Sequence, residues 1–301
     1  EALQKKGGFV ILARLIAAML VFSVLHEPAQ SQVREVPSRS ASNLIVAAYN
    51  IQWLGEKSHN LADLAKVIQH FDICGVVEIK NERALAQLAD ELEALTGTDW
   101  GHAFGMRTHR PAGRYHEAYG VLWRRDRAQL GDGIVSGVWD RYEDFRNDPY
   151  IVSFVSGTID FSMVLLHTRW SNDEEGTRAG EVKAIAEHVN HMRGFLAEDD
   201  ILVAGDFNYA ASAGPMKPLT DAAGLIQLNV NDDTTFKTDG TGFSSSYDHM
   251  FGTESFAVLV EEPARALDVS TLIYGDRNPE NMKRARRELS DHLPIFIVLK
   301  R

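Results

Sequence analysis

The sequence predicts a mixed α/β domain over residues 43–301. Three observations predict it. Apolar runs of strand length alternate with longer segments of helical periodicity. Strand candidates outnumber helices and several are spaced as hairpins, which disfavours a purely parallel, doubly wound sheet. No internal repeat and no long Pro- or Ser-rich linker divides the stretch.

Asn43–Asn50 is a buried-strand run that ends in a carboxamide. Leu61–Phe71 has helical spacing, and Ile73–Ile79 is again an apolar strand, carrying Glu78 near its end. Glu82–Leu95 places Leu85, Leu88, Leu92 and Leu95 on one helical stripe. Strands are expected at Ala118–Trp123, Tyr150–Ser156, Phe161–His167 and Ile201–Asp206, with a longer helix at about Arg178–Phe195 between the last two. The final strands are expected at Ser246–Gly252, Phe256–Leu259 and Pro294–Leu299.

Ahead of this domain, Lys5, Lys6 and Arg14 precede an apolar run from Leu15 to Leu25. That run is too short to cross a ~30 Å hydrocarbon core as a helix. With the small residues Ala29 and Ser31 it reads as a secretory signal over residues 1–31, for a secreted or periplasmic protein. The alternative is a membrane anchor at residues 7–25, which would be the chain's sole membrane contact. Residues 32–42 have linker composition.

Composition sets limits on function. The chain of 301 residues is 45% hydrophobic and 24% charged, which excludes a disordered or low-complexity protein. Its single cysteine, Cys74, excludes an internal disulfide framework and a cysteine-based zinc site. A net charge of −11 leaves no uniform positive field for nucleic acid. A polyanionic substrate therefore needs a local basic patch or a bound metal ion.

Polar residues recur where the apolar strands stop. Asn50 closes its strand, Glu78 nearly closes the next, and His167 follows Met163-Val164-Leu165-Leu166. Asp206 and Asn208 follow an apolar run, Asp248 sits beside Tyr247, and Asp291-His292 precede the last strand. Carboxylate and carboxamide oxygens are hard ligands suited to Mg²⁺ or Mn²⁺, and histidine serves as a general acid or base.

In their order along the chain these pieces resemble the endonuclease/exonuclease/phosphatase superfamily, and most of all its deoxyribonuclease I-like branch. The matching segments are Tyr49-Asn50-Ile51-Gln52-Trp53, Val77-Glu78, Arg114-Tyr115-His116-Glu117-Ala118-Tyr119, Leu166-His167, Gly205-Asp206-Phe207-Asn208, Tyr247-Asp248 and Ser290-Asp291-His292-Leu293-Pro294. The resemblance implies a four-layer α/β sandwich, two packed mixed sheets flanked by helices, with the site at one edge. It implies a phosphodiesterase that uses Mg²⁺ or Mn²⁺ and takes nucleic acid, DNA first, as substrate; it implies no protein partner. Glu78 would be the principal metal ligand, completed by Asn50 and Asp291. His292, oriented by Asp248, would be the general base. His167, paired with Glu117, would contact the phosphate and assist the leaving oxygen, while Asp206 and Asn208 orient the water or the phosphate. Tyr115, Arg114, Arg146 and Asn147 would bind substrate.

One departure concerns the family's Arg-x-Pro phosphate grip. Here Asn147 holds the arginine's place before Pro149, with Arg146 one residue earlier. Two basic clusters flank the site motifs: Arg107, Arg110 and Arg114, and Arg277, Lys283, Arg284, Arg286 and Arg287. Both are candidates for backbone-phosphate contact. The competing readings are the same chemistry on a lipid headgroup, as in a sphingomyelinase, or on an inositol phosphate, and an inactive binding domain.

Overall fold

The computed structural model describes residues 35–105, 117–131, 136–137, 145–170, 177–195 and 199–301. The expected signal or anchor at residues 1–31 lies outside them. Among the described residues no helix is long and apolar enough to cross a membrane.

Two sheets form the middle layers. The first has six strands in the order Val260–Ala266 (β14), Ile295–Lys300 (β15), Asn43–Leu54 (β1), Ile73–Ile79 (β2), Ala118–Arg124 (β4) and Trp100–Phe104 (β3). The second follows the path Ile226–Gln227 (β10), Asp248–Gly252 (β13), Ile201–Asp206 (β9), Ile159–His167 (β8), Tyr150–Ser156 (β7) and Gln129–Leu130 (β5), and Ser136–Gly137 (β6) also pairs with β7. A small ribbon joins Thr235–Phe236 (β11) to Phe243–Ser244 (β12). Each large sheet holds one parallel pair at its centre, β1–β2 in the first and β8–β9 in the second; its other pairs are antiparallel.

Alternation along the central strands builds the layers. On β1, Leu44, Val46 and Ala48 join Val152, Met163, Leu165 and Leu202 in a core between the sheets. The intervening Ile45, Ala47 and Tyr49 pack with helices Leu61–Ile68 (α1) and Glu82–Thr96 (α2). Across the molecule, Val182, Ile185 and Val189 of Thr177–Phe195 (α3) cover Val164, Leu166 and Val203 of the second sheet, beside the short helix Lys217–Asp221 (α4). The result is the expected four-layer sandwich. Each fully buried Leu, Ile, Val or Phe contributes about 1.5–3 kcal/mol, so the inter-sheet core fixes how the sheets face each other.

The structure corrects the sequence reading in places. Phe256–Leu259 is not a strand but part of the helix Glu254–Leu259 (α5), and the strand β14 begins only at Val260. The Thr253 side chain accepts the Phe256 N–H and Glu254 lies in the first turn, a helix start that the short apolar run conceals. Strand β3 leaves no clear sequence signal, because Trp100–Phe104 is short and its burial runs from buried through exposed His102 to half-buried without alternation. The helix Val269–Tyr274 (α6) leads to Pro279–Glu288 (α7), a highly charged segment that buries only Met282 and Ala285. Residues of linker composition also pack against the domain. Arg39 donates to Asp72 at 2.7 Å and to the Phe71 carbonyl at 2.8 Å, and the Asn43 side chain donates to the Ser38 carbonyl at 3.0 Å.

One glycine sets the closest approach. β8 and β9 run side by side with Leu166 opposite Gly205 and His167 opposite Asp206. Gly205 has φ +137°, and a Cβ there would lie 2.0 Å from the Leu166 carbonyl oxygen. Backbone cannot retreat as a flexible side chain can. Gly205→Ala should therefore cost about 3 kcal/mol of stability through strain and overpacking. A denaturant midpoint equal to wild type would show that the strands part without penalty.

Candidate active site

The two parallel pairs end on the same edge of the sandwich, and their ends carry the polar residues. Asn50 stands opposite Val77 in the β1–β2 register, and the register then shifts before Leu54 pairs with Ile79. A second shift lies between Val76 and Ile79 where β2 pairs with β4. These bulges free Glu78 from the ladder and turn its backbone to φ +61°. On the other sheet His167 and Asp206 are the last residues of β8 and β9, and Asp248 opens β13 opposite Asp206. Asn208, at φ +51°, donates its backbone N–H to Asp206 Oδ1 at 2.8 Å and its side-chain amide to the Thr168 carbonyl at 2.7 Å.

The side chains then meet across the gap between sheets. His292 Nδ1 lies 2.8 Å from Asp248 Oδ2, and His167 Nδ1 lies 2.8 Å from Glu117 Oε2. Asn50 Nδ2 donates to Glu78 Oε1 at 2.8 Å and to Asp206 Oδ2 at 3.1 Å. Asp206 Oδ2 is the common centre, 3.5 Å from His292 Nε2 and 3.7 Å from His167 Nε2. Ser290 fixes the last motif to β1: its hydroxyl donates to the Asn50 carbonyl at 2.6 Å and accepts the His292 N–H at 3.1 Å.

Burial and charge set the protonation of this cluster. Burial raises Glu78 and Asp206 above the usual carboxylate range, against the pull of the two histidines. Burial alone would lower His167, but the Glu117 hydrogen bond and the charges of Glu78, Glu117 and Asp206 outweigh it and raise the imidazole to about 10. Burial opposes charge on Glu117 as well, yet the His167 hydrogen bond draws it down to about 2. At His292 burial is again outweighed, here by Asp248 and Asp206, and the imidazole is held well above 6.5.

The donor set suits a hard divalent cation. Ligand atoms of Glu78, Glu117 and His167 lie within 4.8 Å of one another, as do those of Asp206, Asp248 and His292. Glu78 and Asp206 share one amide hydrogen-bond donor, and burial presses both toward protonation, which a cation between them would reverse. Asn50 turns its nitrogen to these carboxylates and its oxygen to the Gln52 N–H at 3.0 Å, so ligation through that oxygen requires the amide to rotate. Asp291 belongs to neither group of converging atoms. It accepts from Gln52 Nε2 at 2.7 Å and lies 3.6 Å from Arg286.

Glu78, Glu117, His167, Asp206, Asn208, Asp291 and His292 border an open cleft of roughly 600 Å³; Asn50, Asp248 and Ser290 do not line it. Arg146 and Asn147 border it too. Asn147 donates to Glu117 Oε2 at 3.4 Å, and its carbonyl accepts from the Tyr119 hydroxyl at 3.3 Å. It thus braces the His167–Glu117 pair. The expected Tyr115 and Arg114 contacts lie outside the described residues. Of the second basic cluster, Arg286 lines the cleft, whereas Arg284 and Arg287 pair with Glu288 at 2.9 and 3.0 Å and Arg277 pairs with Asp268.

Several supporting residues were not singled out from the sequence. Gln52 links Asn50 to Asp291, and Lys80 reaches Glu117 at 3.4 Å. The Tyr119 hydroxyl accepts the His167 N–H at 3.1 Å. Glu181, on α3, accepts the N–H groups of Arg146 at 2.8 Å and Arg169 at 2.7 Å. Gln52 and Tyr119 sit inside the quoted motifs; Glu181 lies in an ordinary helix and gives no local signal.

Comparison with known proteins gives a consistent result. The sequence model of the Endonuclease/Exonuclease/phosphatase family matches residues 47–292. A deoxyribonuclease from Thioalkalivibrio sp. (strain K90mix) is 23% identical over 283 residues, covering 88% of this chain and 73% of that protein. Among solved structures, an endonuclease/exonuclease/phosphatase from Bacteroides vulgatus superposes with TM-score 0.58 at 16% identity, covering 86% of this chain and 98% of the other. A mannosyl-6-phosphatase from Bacteroides thetaiotaomicron gives TM-score 0.55 at 18% identity, covering 85% and 99%. These structural likenesses establish the shared fold.

The His167–Glu117 pair makes stability depend on pH with a definite sign. His167 is raised from 6.5 to about 10, so its contribution is complete below pH 6.5 and is lost as pH rises through 10. Glu117 is lowered from 4.5 to about 2, so its contribution is complete above pH 4.5 and is lost as pH falls toward 2. Melting temperatures of chelated wild type should therefore fall between pH 7 and 10, and Glu117→Gln should flatten that fall. A variant that loses as much stability as wild type over this interval would remove the pair as the cause.

Proposed function

This chain belongs to the endonuclease/exonuclease/phosphatase family, and from that membership and the site's geometry we propose that it is a secreted or periplasmic, divalent-metal-dependent phosphodiesterase that cleaves DNA. The observation that carries the hydrolytic reading is the convergence of two carboxylate–imidazole pairs on Asp206. The choice of DNA is supported by the distant relative named deoxyribonuclease and by Arg146, Arg169 and Arg286 lining an otherwise acidic cleft.

Glu78, with Asp206 and a rotated Asn50, would hold Mg²⁺ or Mn²⁺. When bound, the cation supplies positive charge to the phosphate oxygens as negative charge builds on them. The protein's own groups do the rest. Asp248 holds His292 through Nδ1, and once a cation offsets the Asp206 charge that favours its imidazolium, Nε2 would be free to take a proton from the attacking water. Asp206 and Asn208 orient that water or the phosphate from the floor of the cleft. His167, raised to about 10 beside Glu117, carries its proton at neutral pH and directs it to the leaving oxygen. Asn147 and Tyr119 keep His167 in place, from its partner and its backbone respectively.

The assignment predicts that EDTA abolishes hydrolysis of plasmid DNA and that Mg²⁺ or Mn²⁺ restores it. His292→Ala should lose about 10²–10⁴-fold in rate, the worth of a positioned acid–base group. Asp248→Asn should be strongly impaired while its far-ultraviolet dichroism stays that of wild type. Full activity in chelator, or in His292→Ala, contradicts the mechanism. Turnover confined to sphingomyelin or inositol phosphates in a substrate panel contradicts DNA and leaves the chemistry intact.

Recruitment makes a separate prediction. Arg286 is the member of the second basic cluster that lines the cleft, so Arg286→Ala should lower the slope of log K against log salt by about 0.9, the worth of one phosphate contact on duplex DNA. Arg284→Ala and Arg287→Ala, whose partner is Glu288, should change that slope much less. Equal slopes for all three variants would return the helix to the status of a solvated surface.

A further inference from the structure

The hydrolytic mechanism leaves an aromatic pair at the cleft unused. Trp170 is 63% exposed, and its ring centroid lies 5.9 Å from that of Tyr247, with the planes at 56°. Both residues line the cleft that holds His167, Asp206 and His292. A single exposed hydrophobic side chain on an open surface needs no explanation. These rings differ, because the catalytic strands themselves set their positions. Trp170 follows His167 by three residues, and Tyr247 directly precedes Asp248.

The backbone beneath both rings is pinned. The Thr168 N–H donates to the Asp206 carbonyl at 3.0 Å, and the Thr168 hydroxyl donates to the Phe207 carbonyl at 2.5 Å. The Arg169 N–H donates to the buried Glu181 at 2.7 Å, and its Nε lies 3.5 Å from the other oxygen of that carboxylate. On the opposite strand the Tyr247 N–H donates to Thr234 Oγ1 at 3.1 Å, and its carbonyl accepts from the Phe207 N–H at 2.9 Å. An aromatic surface and an adjacent guanidinium are thus held at the cleft, beside the centre where a phosphodiester would be cut.

We propose that Trp170 and Tyr247 form a stacking platform for one unpaired nucleobase of the strand being cut, with Arg169 reaching the phosphate of the same nucleotide. The enzyme then favours single-stranded or frayed DNA over duplex. The proposal rests on the DNA reading above and specifies the form of DNA. Stacking of a base on an aromatic side chain contributes about 1–3 kcal/mol and tolerates any sequence. A base within a duplex is already stacked and must be extruded, at a cost of a few kcal/mol, before it can use the platform.

The test is equilibrium binding by the chelated full-length protein, which holds DNA without cutting it. Wild type, Trp170→Ala and Trp170→Phe are titrated with a labelled single-stranded oligonucleotide, its duplex, and an oligonucleotide of abasic residues, over a series of salt concentrations. Trp170→Ala should weaken single-strand binding about 5- to 150-fold. The slope of log K against log salt should stay that of wild type, because stacking releases no counterions. Trp170→Phe should keep most of the affinity, and the abasic strand should bind all three proteins alike. Equal single-strand affinity for Trp170→Ala and wild type, or an equal loss on the abasic strand, overturns the platform. A wild type that neither binds nor cuts any nucleic acid while hydrolysing other phosphoesters overturns the DNA reading itself, and the two failures cannot be confused.

Discussion

The rest of the site depends on side-chain hydrogen bonds that cross from one sheet to the other. Asn50 reaches Asp206, Glu117 holds His167, and Asp248 holds His292, each across the gap between sheets at 2.8–3.1 Å. Neither sheet contains a complete acid–base pair. Their spacing is therefore a property of the inter-sheet core rather than of any local motif. Val46, Ala48, Val77, Leu165, Ala204 and Met250 fill that core, and Gly75 admits Leu165 where a Cβ would lie only 2.4 Å from its methyl. Interiors packed at crystal-like density transmit small changes in volume, so a core substitution far from the cleft reaches the chemistry through these three distances.

Strain is concentrated in the same place. Among the described residues, the non-glycine residues at positive φ are Gln52, Trp53, Glu78, Asn208 and Ser245, and all of them line the cleft. Conformations of this kind cost about 1–3 kcal/mol each and persist only where the surroundings over-determine them. The surroundings here are visible. Gln52 is held by Asn50 and Asp291, Asn208 by Asp206 and Thr168, and Glu78 by the two register shifts that flank it. The bulges aim Glu78 at the seam between sheets, which a regular strand would not do.

The sequence showed the central strands and the polar residues at their ends because buried strands are continuous apolar runs, and a lone Asn, Glu, His or Asp at the end of one is conspicuous. Asn50, Glu78, His167, Asp206 and Asp248 were all legible in this way. What remained hidden depends on partners distant in the chain. Asn147 stands where the family pattern has an arginine, yet its amide turns to Glu117 to brace a histidine twenty residues later in the chain, on β8. Glu181 resembles any charged residue of an amphipathic helix until two loops deliver their N–H groups to it. The helix α5 resembles a strand in the sequence because its four apolar residues fit either period, and its Thr253 cap lies outside the run.

The two histidine pairs are alike in length and differ in what surrounds the carboxylate. Glu117 is shared: it also faces Lys80 at 3.4 Å and Asn147 at 3.4 Å. Asp248 gives its side chain to His292 at 2.8 Å, and its backbone N–H is held separately by Thr234 at 3.2 Å. A lysine beside Glu117 spends part of that carboxylate's field, yet His167 still draws on Glu78 and Asp206 to keep its proton. His292 depends first on Asp248 and then on Asp206, the carboxylate that shares Asn50 with Glu78. Positive charge arriving at Glu78 and Asp206 would therefore weaken the hold on both imidazolium protons, while Glu117 still accepts the hydrogen bond of His167 and Asp248 that of His292. The two imidazoles differ in position: Asp206 stands 3.5 Å from His292 and 3.7 Å from His167, and Glu78 stands 3.7 Å from His167. In the proposed mechanism the division of labour between base and acid would follow from how a cation's field divides between these two carboxylates, and so from the same inter-sheet register that brings them together.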